Sequence, residues 1–383
     1  MNKKILSILP FLIVLMIFAF FISCSGKKEE EPEEEVPAET PAATVTLTTA
    51  TPEPTESPTP SPRPTEDITG KAIDSLTGLY IPEELADKRP AAVVINNMHR
   101  ALPQSGIGEA SIVYEMLAEG NITRLIGIFR DYGAEKIGPV RSARHYFIDF
   151  AMDYDAVFVH HGGSPQGYES IRSQKVNNLD GMRLGNTFWR DPARASVPSM
   201  LEHSSYTNAE RIREAIDALG YREDLTGDET VGFRFFALDT GLPGAENAEA
   251  ITVPFSNDYM AIFEYDPETK LYDKFNERGP HIDENTDEQL TYKNVLIQIT
   301  TINVIAGDSE GRRDIKTVGS GEGFLATNGG YVPVTWSKDG RTSPARWYFE
   351  DGSEMLLNKG KTWINVVSAQ TGFVIGEKEE KDE

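Results

Sequence analysis

Between Lys27 and about Gly70 the chain holds almost no large apolar residue, and this gap fixes where a fold can begin. Glu29 to Glu39 is mostly acidic, and Thr44 to Thr65 is mostly Thr, Pro, Ser and Glu. Such a composition cannot offset the entropy of ordering, and its prolines favour extended polyproline II. Residues 24–70 are therefore expected to be a disordered linker, reaching from roughly 40 Å as a coil to about 130 Å fully extended. Any core must come from the roughly 300 residues that follow, enough for two domains or one large one.

Ahead of the gap, Lys3 and Lys4 precede a neutral stretch from Ile5 to Ile22, closed by Ser23 and Cys24. A positive start, an apolar run and a small residue before a cut form an export pattern, so residues 1–23 read as a signal peptide. Phe21-Ile22-Ser23-Cys24 resembles a lipobox, with Phe21 where Leu is usual. Cys24 is the only cysteine, and disulfides need pairs, so it is expected to carry a lipid rather than a metal or a catalytic role. An uncleaved helix is the other reading, although about 18 apolar residues is the lower limit for spanning. Under either, the two lysines leave the rest of the chain outside the membrane. The predicted location is the extracytoplasmic face of the cell membrane, with the lipid as anchor.

The formal net charge of −23 argues against nucleic acid as a partner, since phosphate binding needs clustered Lys and Arg. It argues equally against a polybasic membrane surface. Part of the excess lies in the linker and in a charged tail over residues 371–383, so a basic cluster within the folded part is informative.

From residue 71 to 230, short apolar runs alternate with helical patterns. Ala91 to Ile95, Ile112 to Leu117, Leu125 to Phe129 and Ala156 to Val159 read as buried strands. Val140 to Tyr154 is expected to be a helix, with Val140, Ala143, Phe147 and Ala151 as its apolar stripe. Thr207 to Leu219 is expected to be another, ended by Gly220. The fold class is α/β, a mixed sheet with helices. From 231 to 370 only strands follow, beginning with a hairpin about Asp266-Pro267-Glu268-Thr269, and an all-β sandwich or small barrel is expected.

Arg89 to Asn97, Pro103 to Gly106, the run Ile112 to Phe129 and Ile137 to Arg144 resemble the YerB-like family of bacterial lipoproteins. His160 to Pro165, Leu179 to Gly181, Phe188 to Asp191, Val334 to Lys338 and Leu357 to Ile364 continue the likeness in the same order. The resemblance covers about Leu76 to Val367. It implies a domain of unknown function with amino- and carboxy-terminal parts, and so supplies no activity. Glu202-His203-Ser204 stands where the family usually shows Pro-His-Asn.

The candidate chemistry lies in the α/β part. Ser164 before Pro165 predicts a capped helix start, and Gly162 and Gly163 would let backbone approach an anion at its free N–H groups. An ordinary strand-to-helix turn has the same pattern. On the expected helix from Val140, Arg141, Arg144 and His145 share one side near its positive end, where an anion would compensate them. Arg124, and Arg190 beside Trp189, are expected to join them in holding an anionic wall-related ligand or an envelope protein. Salt bridges to Glu115, Glu119, Asp149 or Asp191 would account for the same arginines.

A hydrolase of envelope polymer is the alternative, with His160, His203, Glu115 and Asp191 as its acid–base groups. Glu115 and Glu119, two alternations apart, are expected on one strand face as paired carboxylates. A metal site is not expected, because the adjacent His160 and His161 point to opposite faces, and no cofactor is implied. Trp336, Trp347 and Trp363 with Tyr331 and Tyr348 would form either a sugar-stacking platform or core.

Overall fold

The computed structural model describes residues 67–130, 133–226 and 232–378. The signal peptide, Cys24 and most of the expected linker lie outside the described residues.

Apolar runs without alternation form strands covered on both faces. These are β1 (Ala91–Asn96), β2 (Ile112–Glu119), β3 (Ile122–Phe129) and, after helix α1 (His145–Met152), β4 (Val157–His160). Helix α2 (Pro165–Ser173), β5 (Asn178–Asp180) and helix α3 (Ala209–Ala218) complete the first part. Alternating burial marks the strands that follow: β6 (Ala250–Ser256), β7 (Tyr259–Asp266) and β8 (Leu271–Asn276). Then come β9 (Asn294–Thr300), β10 (Gly319–Thr327), β11 (Gly330–Lys338), β12 (Thr362–Ser368) and β13 (Val374–Gly376).

The main sheet has eleven strands, running from Glu246–Asn247 through β11, β10, β9, β12, β2, β3, β1 and β4 to β5, with Arg346–Phe349 beside β11. Strand β12 lies parallel to β9 on one side and to β2 on the other, Ile364 opposite both Leu296 and Tyr114. Strands from both expected parts are thus hydrogen-bonded into one sheet across residue 230. The helices belong to the first part and the second is strand-rich, as expected, but no barrel closes. A second sheet built on β6, β7 and β8 packs Ile251, Phe263 and Tyr272 against Val113, Leu125 and Trp363 of the main sheet. Helix α1 covers the opposite face, where Tyr146 and Phe147 meet Val94 and Ile126. Within the expected charged tail, β13 pairs with β6.

Two local expectations fail for physical reasons. Val140–Arg144 is extended, not helical, and the helix starts only at His145. The Arg141 N–H donates to the Val94 carbonyl at 2.8 Å, and the Ala143 N–H to the Gly162 carbonyl at 2.9 Å. Those distant partners outweigh the helical spacing of the apolar residues. In β2 a bulge between Leu117 and Glu119 reverses the alternation, so Glu115 and Glu119 face opposite sides. The capped start at Ser164 is as expected: its hydroxyl accepts from the Gly167 N–H at 3.0 Å.

Candidate functional site

The turn after β4 is filled by its own chain. His160 is fully buried, donates from Nδ1 to the Gly162 carbonyl at 2.7 Å, and has Nε2 3.1 Å from the Asn178 side-chain oxygen. The Gly162 N–H donates to Asp180 at 3.0 Å, and the Ser164 N–H to the Ala143 carbonyl at 3.1 Å. The expected anion cradle over Gly162, Gly163 and Ser164 is therefore occupied by Asp180 and backbone. Burial depresses the His160 pKa, against Gly162, Asp180 and Asn178, which work to raise it, and the ring braces the strand end to the turn.

The arginines do converge, but on a carboxylate of the protein. Arg124, 2% exposed, donates to Glu119 and, at 2.9 Å, to the Ser142 carbonyl. Arg144, 6% exposed, donates from Nε to Glu119 at 3.0 Å and from a terminal nitrogen to the Ala143 carbonyl at 2.7 Å. Burial works to raise the Glu119 pKa, but the two arginines outweigh it and hold the carboxyl below its usual range. Burial, then Arg144, pushes Arg124 down to about 9. Arg144 is thus engaged by Glu119, one of the four carboxylates that the sequence offered as its internal partners.

Arg141 stands at the outer edge of this cluster. It donates to the Glu202 carboxylate at 2.8 Å and the Glu202 carbonyl at 3.1 Å, while its Nε has no partner. Its charge acts on Glu119, Arg124, Arg190, His161 and His203 alike. Arg190 donates to the Leu201 carbonyl at 2.8 Å and to His161 Nε2 at 3.3 Å. Because Arg190 can only donate, His161 Nε2 is an acceptor, and the ring proton sits on Nδ1, 2.7 Å from Ser205. Ser205 Oγ therefore accepts a hydrogen bond from this ring rather than donating one to it, which is the wrong direction for a nucleophile and its base. Burial, then Arg190, pushes His161 down to about 4. Gly181 makes room for that ring, since a Cβ there would lie 2.2 Å from Nδ1.

The other expected site residues are dispersed. His203 accepts at Nδ1 from Asn96 at 2.7 Å and is buried. Asp191 caps the turn at Pro192 by accepting from the Arg194 N–H at 3.1 Å, and pairs with Lys136 at 3.1 Å. Trp189 stacks on Tyr206, with the Arg211 guanidinium 5.0 Å from its ring. Trp336, Trp347 and Trp363 are buried, so they are core and offer no platform.

Sequence reasoning named Glu115 as a candidate acid–base group but missed Lys274 and His281, which join it in a polar cluster between the two sheets. Glu115 is 2% exposed and accepts from Asn97 and Thr123 at 2.9 Å on one oxygen only. Lys274 is 1% exposed and donates to the Phe275 carbonyl at 2.6 Å. His281 donates from Nε2 to Gln104 at 2.7 Å. Burial raises the Glu115 pKa, brings Lys274 down to about 8 and holds His281 well below its usual range. Lys274 faces inward on β8 beside Tyr272, while Leu271 and Phe275 take the other face, so hydrophobic alternation gave no signal for it. Among the described residues no three His, Cys, Asp or Glu gather as a metal site.

Family profiles for the amino- and carboxy-terminal domains of a protein of unknown function (DUF3048) match residues 76–222 and 251–364. The chain is 34% identical over 305 residues to "Putative lipoprotein YerB" of Bacillus subtilis strain 168, across 79% of this chain and 88% of that protein. Its fold is similar to the crystal structure of the YerB protein from Bacillus subtilis, with TM-score 0.68 and 32% identity, over 78% of this chain and 97% of that one.

Proposed function

The chain belongs to the DUF3048 family, and from that premise we propose an extracytoplasmic lipoprotein, anchored through Cys24, that binds an anionic envelope ligand or partner at Arg141. One observation carries the binding half: Arg124 and Arg144 share the one carboxylate of Glu119, and Arg141 at the rim of that cluster has Glu202 as its carboxylate partner. Arg124 and Arg144 stay internal with one countercharge between them, so the rim where Arg141 stands is positive. Arg141 is met there by Glu202, whose side chain is 56% exposed and so is readily displaced. Glu202 then acts as a tethered stand-in for the ligand's carboxylate or phosphate, with Arg190 and neutral His161 beside it.

Titration with phosphate- and carboxylate-bearing wall fragments tests this reading. Arg141→Ala is expected to weaken binding by roughly 10- to 100-fold, the usual worth of a charge-assisted hydrogen bond. Glu202→Gln is expected to tighten it, by removing the competitor. Equal affinity in both variants and the parent would defeat the site.

The anchor has its own test, motivated by the apolar run ending at the lone cysteine. Cys24→Ala is expected to release the protein from the membrane fraction. Retention of that variant at precursor mass would mean an uncleaved helix instead.

A further inference from the structure

The space between the two sheets is shaped around atoms that the protein leaves unsatisfied. Among the described residues Glu115 Oε2 and His281 Nδ1 have no partner, although both side chains are 2% exposed. Each borders a chamber of about 10 Å³, as does Lys274, and no ion pair joins Lys274 to Glu115. Outside it lies a groove of about 470 Å³, the order of a small-molecule site, where His99, Leu102, Pro103, Asn276, Arg278 and Ile282 form the wall. His99, Leu102, Asn276 and His281 border both spaces, so the chamber is the floor of the groove.

We propose that groove and chamber bind a neutral, hydroxyl-rich ligand, a carbohydrate, with one hydroxyl inserted between Glu115, His281 and Lys274. An unpaired buried acceptor costs about 1 to 3 kcal/mol, so two of them call for a donor from outside the chain. Nε2 of His281 is committed to Gln104, which leaves Nδ1 as a lone pair. Lys274 has spent one of its three protons on Phe275 and can donate another to the incoming oxygen. A hydroxyl has one proton, so it donates to one of the two acceptors while accepting from Lys274, and a second hydroxyl or a water donates to the other.

Charged groups do not. A carboxylate would meet Glu115, and an ammonium would meet Lys274, whereas the pair is neutral overall whichever of the two holds the proton. At the rim, Glu277 is already held by His99 at 2.5 Å and by the Met260 N–H at 3.0 Å. The wall mixes Leu102, Pro103 and Ile282 with the planar amide of Asn276, surfaces that fit the apolar faces and equatorial hydroxyls of a sugar ring. The site is separate from Arg141, and neither reading depends on the other.

Calorimetric titration of the full-length protein with chitotetraose and maltotetraose tests the proposal, with the chitosan tetramer as cationic counterpart. At least one neutral tetramer should bind, and the chitosan tetramer at least tenfold more weakly. Glu115→Gln should weaken binding by roughly tenfold, as loss of a charged acceptor does. Leu102→Trp, which fills the passage between groove and chamber and keeps Glu115, Lys274 and His281 in place, should abolish binding and leave the melting temperature unchanged. Failure of both neutral tetramers to bind, or full binding by folded Leu102→Trp, would overturn the proposal and leave the chamber as a seat for internal water only.

Discussion

Replacing Glu119 by alanine is expected to destabilise the fold by about 3 to 5 kcal/mol, because it strands two buried guanidinium groups with no countercharge. Arg124 and Arg144 are 2% and 6% exposed, and both donate to Glu119. Their other partners are the carbonyls of Ser142 and Ala143, which accept hydrogen bonds but carry no charge. Arg141 adds repulsion from the rim. Urea unfolding measures the loss directly, as a lower midpoint at constant slope. Glu119→Gln should lose nearly as much, since it keeps an acceptor and removes the charge. In the Glu119→Ala background, Arg144→Met should restore part of the stability, and that coupling separates charge from packing. A loss under about 1 kcal/mol would mean that solvent reaches the cluster and screens it.

Features whose cause is local were legible in the sequence. Ser164-Pro165 starts a helix because a hydroxyl three residues from an N–H satisfies it, and Gly220 ends α3 with φ +63° because only glycine takes that backbone cheaply. Strand runs from Ala91, Ile112 and Leu125 were visible for the same reason. Pairing was not: nothing in Thr362 to Ser368 says that it slots between β9 and β2, so one sheet was read as two parts. Val140 to Arg144 has helical spacing, but its backbone partners, Val94, Ser205 and Gly162, are set by tertiary structure. Glu119 was named as a salt-bridge partner, and the bulge that turns it toward Arg124 was not foreseeable from Leu117-Ala118-Glu119. His160 was favoured over His161 as a site residue; the sequence places both at a strand end on opposite faces, and only packing decides which ring meets solvent.

Acid is expected to unfold this protein well above the pH at which carboxylates titrate. Four of its six histidines, His160, His161, His203 and His281, have pKa values lowered first by burial. In the unfolded chain each takes a proton near pH 6.5, while the folded chain resists it. The unfolded state then binds more protons, so the stability present above pH 6.5 is lost as pH falls toward the folded values, which for His161 means about 4. Each histidine that stays neutral contributes about 1.4 kcal/mol per pH unit across that window. His161 is partly open, and screening reduces its total share to about 1 to 2 kcal/mol. Glu115 and Asp153 act the other way, because burial raises them and protonation relieves the folded state. Glu119 and Asp180 have lowered values and add their losses only below the ordinary carboxylate range. Between pH 6.5 and 4.5 the histidines therefore dominate. Melting temperature measured from pH 7.5 to 4.5 should fall steeply below 6.5, and His161→Gln should flatten the curve by the share of one proton. A melting temperature that stays level down to pH 4.5 would mean that these rings protonate in place, with Asp180 beside His160 and Glu202 beside His203 accepting the charge.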